Sequence, residues 1–393
     1  MGSLEKLEEQ LTRCLQNVGR LSLKYQNKQL AECGDIVVKI VEPKNGFENV
    51  DAQSLIKESQ EWGLSLENVR VTDTSVAFFL KRKTAFRCFI AECLADKFGR
   101  WDITHQQIIL SNSVDEKSLD NLNLGEFRML TVNNVVRNLL EFGGFNFSND
   151  GSLNDNTLAI QITNNRSKGT TNGVDLICGP VTTNGINATD FIKKRANDMQ
   201  LIAQHKYGIR VRDHQRFQEM IASLGRSAAI VDMLESKASS PIDMKKEKNQ
   251  SSKGAAFILY NYARISVLFK TLSEKQRTGY YPELPSLEKV DFTLLKEEDE
   301  WHLFWVYVVG FPGMIKQALG DGQLSRLSPH LVLSFASGLV ICLSKYYRRV
   351  RILTENREHL LPTMYARIYL LKSVFHVLSA LLTILDLEAV TQM

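Results

Sequence analysis

Residues 367–393 read RIYLLKSVFHVLSALLTILDLEAVTQM. With Tyr365 just before them, apolar residues recur every three or four positions, at Tyr365, Ile368, Leu371, Phe375, Leu378, Leu382 and Leu385. That spacing predicts an amphipathic helix with one apolar stripe, leaving Arg367, Lys372 and His376 on the other face. The stretch is long enough to cross a bilayer, but those three side chains and Asp386 would be costly at hydrocarbon depth, so it reads as a buried helix of a soluble domain. The apolar run 330–344 stops at Lys345, short of the ~20 residues a span requires.

Upstream, 257–270, 298–319 and 329–353 carry the same period. Everything after Gly254 therefore reads as an all-α bundle, 254–393. Pro312 lies inside the second of these helices and removes an amide donor, so a break is expected near Phe311.

The whole chain has 393 residues, 44% hydrophobic and 23% charged, which excludes disordered and collagen-like classes. Forty-eight Lys and Arg against 44 Asp and Glu give +4, too balanced for wholesale coating of nucleic acid; a polyanion site must be one local patch. DNA is accordingly not an expected partner, nor is a membrane. Residues 1–19 carry Glu5, Glu8 and Glu9 and no unbroken apolar run, so neither a secretory nor a transit signal is read there, and a cytoplasmic location is expected. Six cysteines without a Cys-x-x-Cys pair fit a reducing compartment and no structural zinc.

Residues 1–115 read as a small α/β domain: a helix over 4–23, strands over 35–41 and 71–80, and a helix over 85–97 with Ala85, Phe89, Cys93 and Leu94 on one stripe. The basic segment 81–83 reads as a solvated helix entrance. Residues 116–250 are patterned more weakly. A helix over 130–142 stops at Gly143-Gly144, Asn- and Gly-rich loops surround strands at 158–162 and 174–178, and helices resume at 190–207 and 213–235. A basic run with Lys206, Arg210 and Arg212 between His205 and His214 could touch a nucleic-acid backbone, although such runs are more often solvated helix ends. The charged stretch 244–253 reads as a linker.

The C-terminal bundle resembles the DALR anticodon-binding domain of arginyl-tRNA synthetases. The residues carrying the likeness are Tyr260 with Ala263-Arg264-Ile265, Ser328-Pro329-His330-Leu331, Tyr346-Tyr347-Arg348-Arg349-Val350-Arg351-Ile352, and the close from Arg367 to the terminal Met393. The resemblance implies that Tyr346, Tyr347, Arg348, Arg349 and Arg351, with Arg264, Arg367 and Met393, meet an anticodon loop. The residue types suit that task, since unstacked bases lie on aromatic faces and phosphates on cations. Without the resemblance, the same residues describe a helix with core tyrosines and a solvated basic face. The family usually places Asn where Arg348 stands, so base reading there is expected to differ.

The helix VNNVVRNLLEFGG, 132–144, resembles the one following the His-x-Gly-His signature of these synthetases, whose imidazoles bind ATP phosphates. Counting back gives Asn123-Leu124-Gly125-Glu126-Phe127-Arg128. Gly125 and Arg128 remain, but Asn123 and Glu126 replace both histidines, and a carboxylate there would repel a triphosphate. The Lys-Met-Ser-Lys-Ser loop is missing, Met244-Lys245-Lys246 being linker charge, and 114–253 is short for a complete catalytic domain. No P-loop, nucleophile elbow, His-Glu-x-x-His helix or methyl-donor site is present, so no cofactor is expected.

The expected architecture is thus an α+β N-terminal domain (1–115), a degenerate Rossmann-like middle region with its linker (116–250), and the all-α DALR bundle (254–393). This order resembles the animal DALR-domain proteins that are not synthetases. The resemblance implies a non-catalytic adaptor for arginine tRNA, partnering an S-adenosylmethionine-dependent methyltransferase that forms 3-methylcytidine in the anticodon loop, at tRNA position 32. Two alternatives stay open: a divergent arginyl-tRNA synthetase, and a scaffold of a synthetase assembly without tRNA contact.

Overall fold

The computed structural model describes residues 2–43, 47, 50–100, 107–114, 122–148, 157–164, 173–207, 214–245 and 251–389. They form two compact units, one from 1–98, 271–311 and 345–377, the other from 99–270, 312–344 and 378–393.

The first unit opens with α1 (Ser3–Cys14), β1 (Gly19–Tyr25), α2 (Leu30–Cys33), β2 (Ile36–Pro43), α3 (Ala52–Glu58), β3 (Leu66–Val71), β4 (Ser75–Leu80) and α4 (Arg82–Leu94). Its antiparallel sheet runs β1-β2-β4-β3. Val76, Phe78 and Leu80 alternate inward along β4, the two-residue period of a strand with one buried face. Two sequence expectations are corrected here. The first helix ends at Cys14, and 19–25 is a strand, because GRLSLKY alternates apolar with polar residues rather than spacing them by three or four. The strand expected over 71–80 is instead two, β3 ending at Val71 and β4 starting at Ser75, and the rest of β3 went unread because a register shift between Leu66 and Asn68 interrupts its alternation.

The second unit is built on β5 (Gln107–Asn112), α5 (Leu124–Phe142), β6 (Asn146–Phe147), β7 (Thr157–Thr163), β8 (Gly173–Ile177), β9 (Val181–Thr182), α6 (Ala188–Tyr207), α7 (His214–Leu234) and β10 (Ile242–Asp243). All pairings in its sheet β6-β5-β7-β8 are parallel, and α5 lies between the paired strands β5 and β6 in sequence. This is the Rossmann-like region expected from the sequence. Leu122, Leu124, Phe127, Ala188, Phe191, Ala229 and Met233 form a core joining α5, α6 and α7. The helix α5 stops at Gly143-Gly144 as expected, with Gly144 at φ +89°.

The remaining helices are α8 (Ser251–Arg277), α9 (Glu298–His302), α10 (Phe311–Ala318), α11 (His330–Arg349) and α12 (Leu361–Ile384). A π-helical turn, Leu303–Val309, continues α9, and the break falls at Gly310, with Pro312 in the first turn of α10 where its missing amide costs nothing. The single stripe expected on α12 is corrected: Met364, Ala366, Ile368, Leu370, Leu371, Val374, Val377, Leu378 and Leu381 are all buried, so most of its circumference is core. By length and hydropathy α11 and α12 could cross a membrane; 44% and 56% of their apolar windows are buried inside the protein.

Within the first unit, Phe86 of α4 packs against Phe292, Trp301 and Phe304, and Arg82 lies over the Trp301 ring while its guanidinium holds Glu298. The segment 81–83 is thus more than a solvated entrance, since Lys83 also pairs with Asp291. Asp35, 3% exposed, accepts hydrogen bonds from the Leu80 amide and the Trp301 indole, both at 2.8 Å. Burial pushes its carboxyl up to about 6, opposed by the two hydrogen bonds and by Arg82, with Glu298 adding to the rise. Between about pH 4 and pH 6 the folded protein keeps a proton the unfolded chain has released, so stability falls as pH rises through that window, by ~3 kcal/mol. Urea titrations of wild type and Asp35→Asn from about pH 4 to pH 7 are expected to diverge accordingly; parallel profiles would refute it.

Candidate nucleic-acid interface

The last turn of α11 carries Lys345 to Arg349, and Arg351 lies just beyond its end. One turn of helix separates residues by about 100° each, so adjacent tyrosines cannot share a face. Tyr346 continues the buried stripe of Val332, Ala336, Leu339 and Leu343 and is 0% exposed. Its hydroxyl donates to Glu300 Oε1 at 3.1 Å, and burial beside that carboxylate pushes its phenol far above the ordinary range. Tyr346 is therefore not a stacking platform: its ring has no open face, and that expectation is withdrawn.

Arg367 is corrected for a related reason. Its Nε donates to Glu300 Oε1 at 2.8 Å, the side chain is only 18% exposed, and Nη1 donates to the Arg351 carbonyl. Glu300 itself is 0% exposed and also accepts from the Glu297 amide. Arg367 thus neutralises a buried carboxylate, and its role is structural.

The solvent side of this turn differs from the buried one. Tyr347 is half-buried, while Arg348, Arg349 and Arg351 are exposed. Asp299, the neighbour of Glu300 on α9, receives Arg349 at 2.6 Å and Lys345 at 3.3 Å. Both cations stay about 60% exposed, and such solvated pairs are worth at most ~1 kcal/mol. Asp299 thus orients both cations while leaving them in solvent. Arg351 Nε donates to the Leu353 carbonyl. Arg264, half-buried on α8, belongs to the second unit, and Met393 lies outside the described residues, as do Arg210, Arg212 and Lys246.

At the start of α5, Asn123 and Glu126 form a capping box: the Asn123 side chain accepts from the Glu126 amide, and Glu126 Oε2 accepts from the Asn123 amide, each at 2.9 Å. The helix end that could otherwise receive a phosphate thus holds its own carboxylate. Gly125 sits in this first turn, where an added Cβ would lie 3.1 Å from the Asn123 side-chain oxygen. Arg128 is fully buried, donating to the carbonyls of Gly179, Ser240 and Lys237. Among the described residues no group of three or more His, Cys, Asp and Glu is placed to hold a metal.

An antiparallel α/β module, a parallel-sheet core and a helical bundle make this the fold of an arginyl-tRNA synthetase. The structure is similar to that enzyme from Thermus thermophilus, with a TM-score of 0.67, 11% identity, and coverage of 99% of this chain and 100% of that one. The enzyme from Plasmodium falciparum gives 0.65 and 10%, covering 100% of both. Residues 258–393 match the DALR anticodon binding domain family. Over 231 residues the chain is 31% identical to DALR anticodon-binding domain-containing protein 3 of Danio rerio, covering 56% of this chain and 41% of the relative. For the Rattus norvegicus protein of the same name the figures are 28% over 223 residues, 54% and 41%. Arginine--tRNA ligase of Desulforudis audaxviator is 30% identical over 165 residues, 39% of this chain and 27% of the ligase. The chain therefore spans about two fifths of the curated DALR-domain relatives it matches.

Sequence reasoning missed Asp299 and Glu300, the acids that sort these cations into structural and available ones. The Glu297-x-x-Glu300 capping box was a readable signal for a helix start, although nothing local links it to Tyr346 or Arg367.

Proposed function

We propose that this chain is a non-catalytic tRNA-binding adaptor that recognises arginine tRNA and supports 3-methylcytidine formation in the anticodon loop by a partner methyltransferase. The observation that carries the tRNA contact is the exposed basic turn Lys345, Arg348, Arg349 and Arg351 with half-buried Tyr347, inside the segment matching an anticodon binding domain. The relatives named for the same domain support it. The methyltransferase partnership rests on the family resemblance of the sequence. The absence of synthetase chemistry rests on the α5 start, where Asn123 and Glu126 satisfy each other's amides.

The mechanism is a division of labour: the adaptor supplies affinity for one tRNA class, raising its effective concentration at an enzyme that brings its own active site. Filter binding of arginine tRNA to full-length protein tests it. Tyr347→Ala with Arg351→Ala should weaken binding by about tenfold to a hundredfold and lower the log-log salt slope by roughly one, with the melting temperature little changed. Equal affinity for arginine tRNA and an unrelated tRNA would instead mark a scaffold, and arginine-dependent ATP–pyrophosphate exchange a synthetase.

A further inference from the structure

With Tyr346 buried in the core, Tyr347, half-buried, is the tyrosine that the proposed loop-binding turn shows to solvent. A second ring lies elsewhere in the same unit. The helix α8 ends at Arg277; Gly279, φ +73°, turns the chain just beyond it and is followed by Tyr280-Tyr281-Pro282. Tyr280 is 44% exposed, whereas Tyr281 is 2% exposed. The two rings meet edge to face with centroids 4.9 Å apart, and the Lys275 ammonium lies 4.8 Å from the Tyr280 centroid and 5.2 Å from that of Tyr281.

The loop carrying these rings is tied down at both ends. Tyr280 and Tyr281 amides both donate to the Lys275 carbonyl, Gln276 Nε2 donates to the Pro282 carbonyl, and Tyr369 Oη donates to the Pro285 carbonyl. Tyr281 Oη donates to the carbonyl of Thr354, three residues after Arg351. The buried ring thus fastens the Tyr280 loop to the segment bearing Arg351, whose charge it feels. Arg277, on the last turn of α8, is exposed as well.

An exposed aromatic ring on a fixed backbone, backed by one ammonium and tethered beside a guanidinium, has what a single-stranded base needs. It offers a π-face at little ordering cost and cations for the flanking phosphates. Tyr281 is covered, whereas Tyr280 keeps 44% of its surface in solvent. We infer that Tyr280 is a base-stacking residue for an unpaired nucleotide of the bound tRNA, with Lys275, Arg277 and Arg351 receiving its phosphates. This rests on the tRNA-binding reading and names a ring that reading does not contain.

The test uses full-length protein and arginine tRNA carrying 2-aminopurine in its anticodon loop. Tyr280→Ala should weaken binding by about 5- to 150-fold and restore the probe's fluorescence, leave the salt slope as in wild type, and be largely rescued by Tyr280→Phe. Because Tyr280 is exposed, its melting temperature should hold. If wild type binds the tRNA and Tyr280→Ala binds equally well, or Phe does not rescue, Tyr280 does not stack and the tRNA-binding reading stands. If wild type binds no tRNA, both fall.

Discussion

Arg367→Ala is expected to destabilise the protein by about 3–5 kcal/mol in urea unfolding, an effect too large for a surface contact. The reason is the environment of Glu300. This carboxylate is 0% exposed, and one of its oxygens receives both Arg367 and Tyr346. Removing the guanidinium strands a buried charge with one neutral donor and one backbone amide, far from enough to replace it. Arg367→Met combined with Glu300→Leu removes charge and counter-charge together and should cost much less than Arg367→Ala. A double variant as unstable as the single would refute the pairing. Under the proposed function, Arg367→Ala should lose tRNA binding only through unfolding. Its tRNA affinity, measured below the unfolding transition, should stay near wild type, in contrast to Arg351→Ala.

Periodicity carried the broad architecture because it is a local property. The helices of the bundle and the paired glycines ending α5 declare themselves within a dozen residues, whereas α4 runs from Arg82 to Leu94, three residues earlier than its apolar stripe suggested. What stayed hidden depends on residues far apart in sequence. Tyr346 and Tyr347 look alike in a basic string, yet their fates differ because Glu300 lies 46 residues away from Tyr346. A signal for the difference did exist: extending the stripe Val332, Ala336, Leu339 and Leu343 by three reaches Tyr346, not Tyr347. The same holds for Asn123 and Glu126. Against a synthetase signature they read as losses, whereas the Asn-x-x-Glu spacing by itself is that of a capping box. Here the two side chains close the start of α5 on itself. Tyr280 was unremarkable in sequence, because a Gly-Tyr-Tyr-Pro turn does not reveal which ring the loop at Thr354 covers.

Arg128→Met should be the most damaging single change in the second unit, at about 3 kcal/mol or more. Arg128 is wholly buried, and desolvation lowers its pKa, so the folded protein bears a real cost for keeping the charge. Its return is three carbonyl contacts: Gly179 at 2.8 Å, Ser240 at 2.6 Å and Lys237 at 3.0 Å. At roughly 1.5–3 kcal/mol for each bond to a charged donor, those contacts exceed the several kcal/mol an ion loses on burial. Methionine would relieve the desolvation but leave three carbonyls unmet. Lysine should rescue little, since one ammonium cannot reproduce a planar fork that spans the 178–180 turn and the 236–240 loop. Those two segments already touch: a Cβ added at Gly179 would come within 2.5 Å of the Ser240 carbonyl oxygen. Gly179→Ala should therefore push apart the very carbonyls that Arg128 gathers, and the two substitutions should combine less than additively in a double-mutant cycle. Strict additivity would mean that the arginine and the glycine act on separate parts of the unit, and the clamp described for Arg128 would be wrong.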